Sequence, residues 1–178
     1  MKYFDKPHLR EIYKEAMEKR ALQLPSNNVI VSVLNDLLAS EMTAVSQYMV
    51  QSEMCANWGY DVLAKMLKKD AIDEMKHAEK HIERIIFLVG IPDLRLKEIK
   101  LGASIPEMLQ NNLASEREAI DSYNQAIATC FKVGDTGTRK MLEPILVDEE
   151  AHHDRSEALL GQLKQMGIQV FLSEQTGD

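Results

Sequence analysis

The sequence repeats itself. Leu38-Ala39-Ser40-Glu41 returns 75 residues later as Leu113-Ala114-Ser115-Glu116, and the same offset carries Ala44 onto Ala119, Tyr48 onto Tyr123 and Cys55 onto Cys130. It also carries Asp73-Glu74 onto Asp148-Glu149 and His77 onto His152. Such a chain folds as two like halves, each burying its apolar face against the other. The period inside each half is helical: between Asn28 and Trp58 the residues Val29, Val33, Leu34, Leu37, Leu38, Met42, Val45, Tyr48 and Met49 recur at three and four. A second segment runs from about Asp61 to Val89 and stops at Gly90-Ile91-Pro92, a third runs from Pro106 to Gly134, and a fourth from about Arg139 to Met166. Beyond Gly167 lies a short apolar tail from Ile168 to Leu172. Only eight glycines and five prolines punctuate 178 residues, so these segments are long. The first two span ~43 Å each at 1.5 Å per residue.

Between Pro92 and Ser104 the chain is basic and has no helical period, as suits a connection along a surface. The expected fold is therefore all-α, a four-helix bundle with a long middle crossover and a short fifth C-terminal helix. This domain covers 29–178. Residues 1–28 read as an N-terminal helical extension, with Leu9, Ile12, Tyr13, Ala16, Met17 and Leu24 on one stripe before Pro25. Pro144 breaks a local rule inside the fourth segment, because it lacks a backbone donor and clashes with the preceding turn. It marks either a late helix start or a kink that aims the residues after it, and the kink is the favoured reading.

The two halves agree best at acids and histidines. Each carries a glutamate, then 33 residues later Glu-x-x-His: Glu41 with Glu74 and His77, Glu116 with Glu149 and His152. Residues three apart lie on one helix face, and 33 residues suffice to climb one helix, turn and return to the same height. Four carboxylates and two imidazoles then meet at mid-bundle. Unpaired, such carboxylates are prohibitively costly to bury; two divalent cations balance their charge of four. Mostly oxygen donors with two nitrogens and no thiolate in reach favour iron, then manganese, over tetrahedral zinc. The offset also selects Glu149 and His152 over the neighbouring Glu150 and His153, which are left facing away. Tyr48 and Tyr123 lie two turns beyond Glu41 and Glu116 on the same faces, either as core tyrosines or as phenols serving the site. His81, four past His77, stands behind the ligands.

Composition narrows the partners. With 28 acidic against 21 basic residues the net charge is -7, which repels phosphate backbones and draws cations, so nucleic acid is excluded as an expected partner. No run of eighteen apolar residues occurs, and no secretory signal opens the chain, so neither a membrane nor export is expected. Two cysteines fit a cytoplasmic protein with free thiols. Cys55 and Cys130 each lie ~21 Å beyond their half's first glutamate; if the first and third helices are antiparallel, no intrachain disulfide can form.

The pattern resembles the ferritin-like di-iron bundles, and more narrowly the bacterioferritin family. The resemblance runs from about Val29 to Gln175. It rests on Leu34-Asn35-Asp36-Leu37-Leu38, Asn57-Trp58-Gly59, Asp73-Glu74-Met75-Lys76-His77-Ala78, Ile82-Glu83-Arg84-Ile85 and Gly90-Ile91-Pro92-Asp93-Leu94. Pro106-Glu107-Met108-Leu109, Asp148-Glu149-Glu150-Ala151-His152 and Gln165-Met166-Gly167-Ile168-Gln169 extend it. The resemblance implies two iron ions per subunit, with Glu41 and Glu116 as terminal ligands, Glu74 and Glu149 as bridges, and one histidine, His77 or His152, per iron. It implies that Met75 is the axial ligand of a b-type haem shared by two subunits across a two-fold axis; read on its own, Met75 also suits interface packing. It further implies a homo-oligomeric shell of two dozen subunits built from two-fold dimers. There Fe(II) is oxidised by O2 or H2O2, ferric mineral is stored in the cavity, and a small ferredoxin supplies electrons for iron release. Lys69 and Arg155 put basic groups near the site, where some members carry a histidine or an aromatic. The alternative is a non-storage di-iron oxidoreductase, such as a peroxide-reducing relative, on the same bundle.

Overall fold

The structure, a computed structural model, describes residues 11–12, 14–16, 18–19 and 27–177. Of the expected N-terminal stripe, Ile12 and Ala16 are helical and exposed, while Leu9, Tyr13, Met17 and Leu24 lie outside the described residues. Five helices follow: α1 Asn27–Asn57, α2 Asp61–Phe87, α3 Ile105–Val133, α4 Thr136–Met166 and α5 Ile168–Ser173. Helix α1 pairs chiefly with α2 and α3 with α4, while α1 and α3 meet across the middle. The two halves announced by the repeat are thus two helical hairpins.

The crossover explains how they sit together. Its backbone forms no helix, and polar side chains spaced along one face of α1 take up its hydrogen bonds. Asn35 receives the Asp93 N–H and donates to the Ile91 carbonyl, Thr43 Oγ1 receives the Lys97 N–H, Gln47 the Lys100 N–H, and Gln51 donates to the Leu101 carbonyl. Both sequences rise together, so the crossover climbs parallel to α1 and delivers α3 at its far end. Helices α1 and α3 are therefore antiparallel, as Gln47 and Gln51 meeting Asn112 also shows. Helix α1 is long and apolar enough to pass for a membrane span by composition. In the bundle Ile30, Leu34, Leu37 and Leu38 are buried in the core and its polar face is occupied by the crossover.

Each helix shows one buried stripe. On α2 it is Leu63, Leu67, Ala71, Glu74, His77, Ala78, His81 and Ile85; on α4 it is Thr138, Leu142, Ile145, Glu149 and His152. The acids and histidines interrupt apolar stripes at one height, so they split the core into two clusters. One holds Ile30, Leu34, Leu38, Ile85, Tyr123, Cys130, Leu142 and Ile145, and the other Tyr48, Cys55, Leu63, Leu67, Met108, Leu109 and Phe171. Phe171 of α5 closes the second cluster. Cys55 and Cys130 fall in different clusters and are free, and burial pushes both thiols up to about 11.

Two helix boundaries differ from the sequence reading. Helix α4 starts at Thr136 rather than Arg139, because Asp135 caps it by accepting the Thr138 N–H. Arg84 reinforces that cap from α2, binding Asp135 and Thr138. A late start at Pro144 is thereby overturned: the helix runs unbroken through it, and Pro144 stands on the exposed face, where water can take the carbonyl its missing N–H leaves free. Helix α2 ends at Phe87, two residues early. The left-handed residue after it is Val89 (φ 66°), not Gly90. Gly90 serves close packing instead, since a Cβ there would lie 2.7 Å from both methyls of Val31.

A candidate dinuclear metal centre

The six residues singled out by the repeat converge. Glu41, Glu74, Glu116 and Glu149 are 3%, 1%, 4% and 1% exposed, and His77 and His152 are equally buried. They fall into two groups of four whose donor atoms lie within 4.8 Å of one another: Glu41, Glu74, His77 and Glu149, and Glu74, Glu116, Glu149 and His152. Glu74 and Glu149 belong to both. Two cation positions side by side, sharing two carboxylates, are what this arrangement offers.

The contacts between the two halves follow the internal two-fold symmetry. His77 Nδ1 lies 3.0 Å from Glu149 Oε1, and His152 Nδ1 lies 3.0 Å from Glu74 Oε1. His77 Nδ1 and His152 Nδ1 each lie 4.0 Å from the glutamate of their own half's first helix, Glu41 and Glu116. The tyrosines cross over: Tyr48 donates a short hydrogen bond to Glu116, and Tyr123 donates one to Glu41. Each phenol therefore serves the glutamate of the other half, a consequence of the antiparallel α1 and α3 that spacing along one helix does not show. His81, fully buried, reaches Tyr123 through Nε2 at 2.7 Å and lies 3.7 Å from Glu41. Glu150 is exposed and His153 half-buried, outside the cluster. Met75, about 100° round α2 from Glu74, is 54% exposed.

Without a cation the cluster is electrostatically crowded. Burial, then the charge of Glu41, drives Glu74 well above its ordinary value. Burial and the facing Glu149 raise Glu116 to about 8, and burial with the charges of Glu74 and Glu41 raises Glu149 to about 7. Burial opposes charge on His77, but Glu149 and Glu74 outweigh it and hold the imidazole up at about 11. Glu41 is the exception: burial works to raise it, yet the hydrogen bond and charge from His81 bring it below the usual range. The proton on His77 Nδ1 is directed at Glu74 Oε2, 2.9 Å away. Glu149 Oε1, though close, is therefore left as a buried oxygen without a hydrogen bond. An orphaned carboxylate oxygen among hard donors is a fit for a divalent cation.

Protons thus occupy the place of metal, and that fixes a pH dependence. Glu116 and Glu149 titrate in the fold near 8 and 7 instead of 4.5. Their stabilising contribution to the metal-free protein is complete below the unfolded value and is lost as pH rises through the folded ones. His77 acts in the same sense, up to about 11. The melting temperature gained on adding Co(II) to the metal-free protein should therefore grow steadily between about pH 5 and 8, with proton release on binding. A gain that does not depend on pH would contradict this.

Two openings reach the centre. Between α1, α3 and the crossover a polar funnel lined by Ser40, Gln47, Glu98, Ser115, Glu118 and Ser122 descends to the four glutamates. From the other side a pocket lined by Lys69, Asp73, Lys76, Lys80, Asp148 and Arg155 reaches the two histidines. The basic residues noted in the sequence do not enter the cluster: Lys69 binds Asp73 at 2.7 Å and Arg155 binds Asp70 at 2.6 Å. Sequence reasoning missed Asp148, although it lies at the repeat offset from Asp73 and beside Glu149.

A four-helix bundle with a long middle crossover and a carboxylate-histidine cluster duplicated across its core defines the ferritin-like class. Residues 31–166 match the family model of the ferritin-like domain. The chain is 35% identical over 146 residues to bacterioferritin of Mycolicibacterium paratuberculosis, covering 82% of this chain and 92% of that protein. It is 37% identical over 143 residues to bacterioferritin of Rhodobacter capsulatus, covering 80% and 89%. The chain belongs to the bacterioferritin family.

Proposed function

We propose that this chain stores iron, oxidising Fe(II) to Fe(III) within each subunit and depositing ferric mineral inside a hollow homo-oligomeric shell. The observation that carries the reading is the pair of donor groups sharing Glu74 and Glu149. Glu41 and His77 hold one Fe(II), Glu116 and His152 the other, and Glu74 and Glu149 lie between them. Fe(II) is substrate here. Two ions at the site together give two electrons to O2 or H2O2, and the ferric products leave for the mineral. The funnel carries Glu98 and Glu118 beside Lys97 and Lys100, so the draw on cations comes from the four glutamates at its floor. Tyr48 and Tyr123 keep Glu116 and Glu41 oriented while ions arrive and leave. The protons held on Glu74, Glu116 and Glu149 depart as the cations bind.

Met75 fits a haem ligand in one respect: its thioether is free on an outer face, one turn beyond the exposed Ile72. A b-type haem between the Met75 residues of two subunits would supply a path for electrons, delivered by a small ferredoxin, to the stored mineral for its release. Residues 1–28 stand as an extension to the 29–178 domain. The cytoplasm suits an assembly whose two described cysteines are free.

Mass and haem binding test the assembly. Metal-free protein should elute at about two dozen times 20.2 kDa, and Met75→Leu should lose haem while keeping that mass. A dimer would favour a non-storage di-iron enzyme, and unchanged haem binding in Met75→Leu would remove Met75 from any haem site.

A further inference from the structure

The internal symmetry fails behind the histidines. His77 turns Nδ1 to the carboxylates and presents Nε2 to Asp148 Oδ2 at 3.3 Å. The repeat offers His152 the matching partner, Asp73. Asp73 is instead held by Lys69 Nζ at 2.7 Å and Lys76 Nζ at 2.8 Å, and among the described residues His152 makes a hydrogen bond only to Glu74. The offset of 75 shows the cause. Opposite Lys69 and Lys76 the second half carries Pro144 and Ala151, so nothing draws Asp148 away from His77. Asp73 and Asp70 each keep a carboxylate oxygen within 4.8 Å of a His152 nitrogen, but the first is bonded to the two lysines and the second to Arg155. The imbalance has the same direction at the tyrosines: His81 backs Tyr123 behind Glu41, whereas its counterpart behind Glu116 is Ser156. A carboxylate behind a ligating imidazole fixes its tautomer and orientation and raises its basicity.

We propose that the two cation positions are unequal: the one gripped by Glu41 and His77 fills first, with Asp148 as its positioning residue. Lys69 and Lys76 weaken the position gripped by Glu116 and His152 by engaging the Asp73 carboxylate, which makes no hydrogen bond to the nearby imidazole. This rests on the dinuclear reading above.

Co(II), which stays divalent in air, is the probe. Titrated into the metal-free full chain and followed by its visible absorbance and by calorimetry, it should bind as two ions per chain in two steps about tenfold or more apart, the effect expected of such outer partners. Asp148→Asn should lower the tighter constant about tenfold and leave the weaker one in place. Lys69→Ala with Lys76→Ala should raise the weaker constant alone and narrow the gap. Lys80→Ala removes a positive charge from the same pocket without freeing Asp73 and should leave the gap unchanged. Two equal constants in the wild type, or variants that move both constants together, would overturn the proposal while leaving the dinuclear site standing. Fewer than two Co(II) per chain would overturn both.

Discussion

Glu74→Ala should abolish rapid Fe(II) oxidation and, in the same protein, raise the melting temperature of the metal-free form. The two effects share one cause. Glu74 belongs to both donor groups, so its loss strips a ligand from each position. Even outer partners of metal ligands cost about 10–100-fold when removed, and losing a shared ligand should slow the fast phase by more than about a hundredfold. In the metal-free fold the same carboxyl is a burden, buried beside Glu41 and Glu116 and driven well above its ordinary value, so an apolar replacement relieves crowding. His152→Ala should likewise lose rapid oxidation. Glu150→Ala, one residue from Glu149 and exposed, should oxidise iron as the wild type does. Stopped-flow absorbance with a melting curve on each metal-free variant reads both effects. Unimpaired oxidation in Glu74→Ala would remove the glutamate from the site.

Leu34→Ala is the largest stability effect expected outside the centre. Leu34 is fully buried in the cluster with Ile30, Leu38, Ile85 and Leu142. Truncation of such a leucine costs ~2–5 kcal/mol, the transfer of its methyl groups plus the cavity left behind. The urea midpoint of the metal-free protein should fall accordingly with little change in slope. Val29, five residues earlier and half exposed, should change the unfolding free energy by under about 0.5 kcal/mol as Val29→Ala. Leu34 lies two turns from Glu41, so oxidation per folded chain should survive. A midpoint for Leu34→Ala equal to that of Val29→Ala would show that this cluster does not carry the bundle.

The ligand set was legible because duplication wrote it twice. One Glu-x-x-His is uninformative in a chain that also contains Glu150 with His153, but only Glu149 and His152 stand at the offset that relates Glu41 to Glu116. What spacing could not give was the exchange of partners between halves. Tyr48 is aligned with Glu41 on its own helix, yet it bonds Glu116, because the ladder from Asn35 to Gln51 holds the crossover parallel to α1 and reverses α3. Helix ends were hidden for local reasons. Asp135 and Arg84 together start α4 before the point where apolar periodicity becomes visible, and Gly90, which reads as a helix stop, is required by Val31 pressing on it while Val89 takes the left-handed turn.

Stepwise addition of Fe(II) to the metal-free protein in air, followed past two equivalents per chain, tests the central claim most directly. Iron storage predicts fast oxidation that saturates at two, then slower uptake that continues into soluble mineral. Uptake that stops at two, with excess iron precipitating outside the protein, would contradict storage and leave a di-iron enzyme on the same bundle.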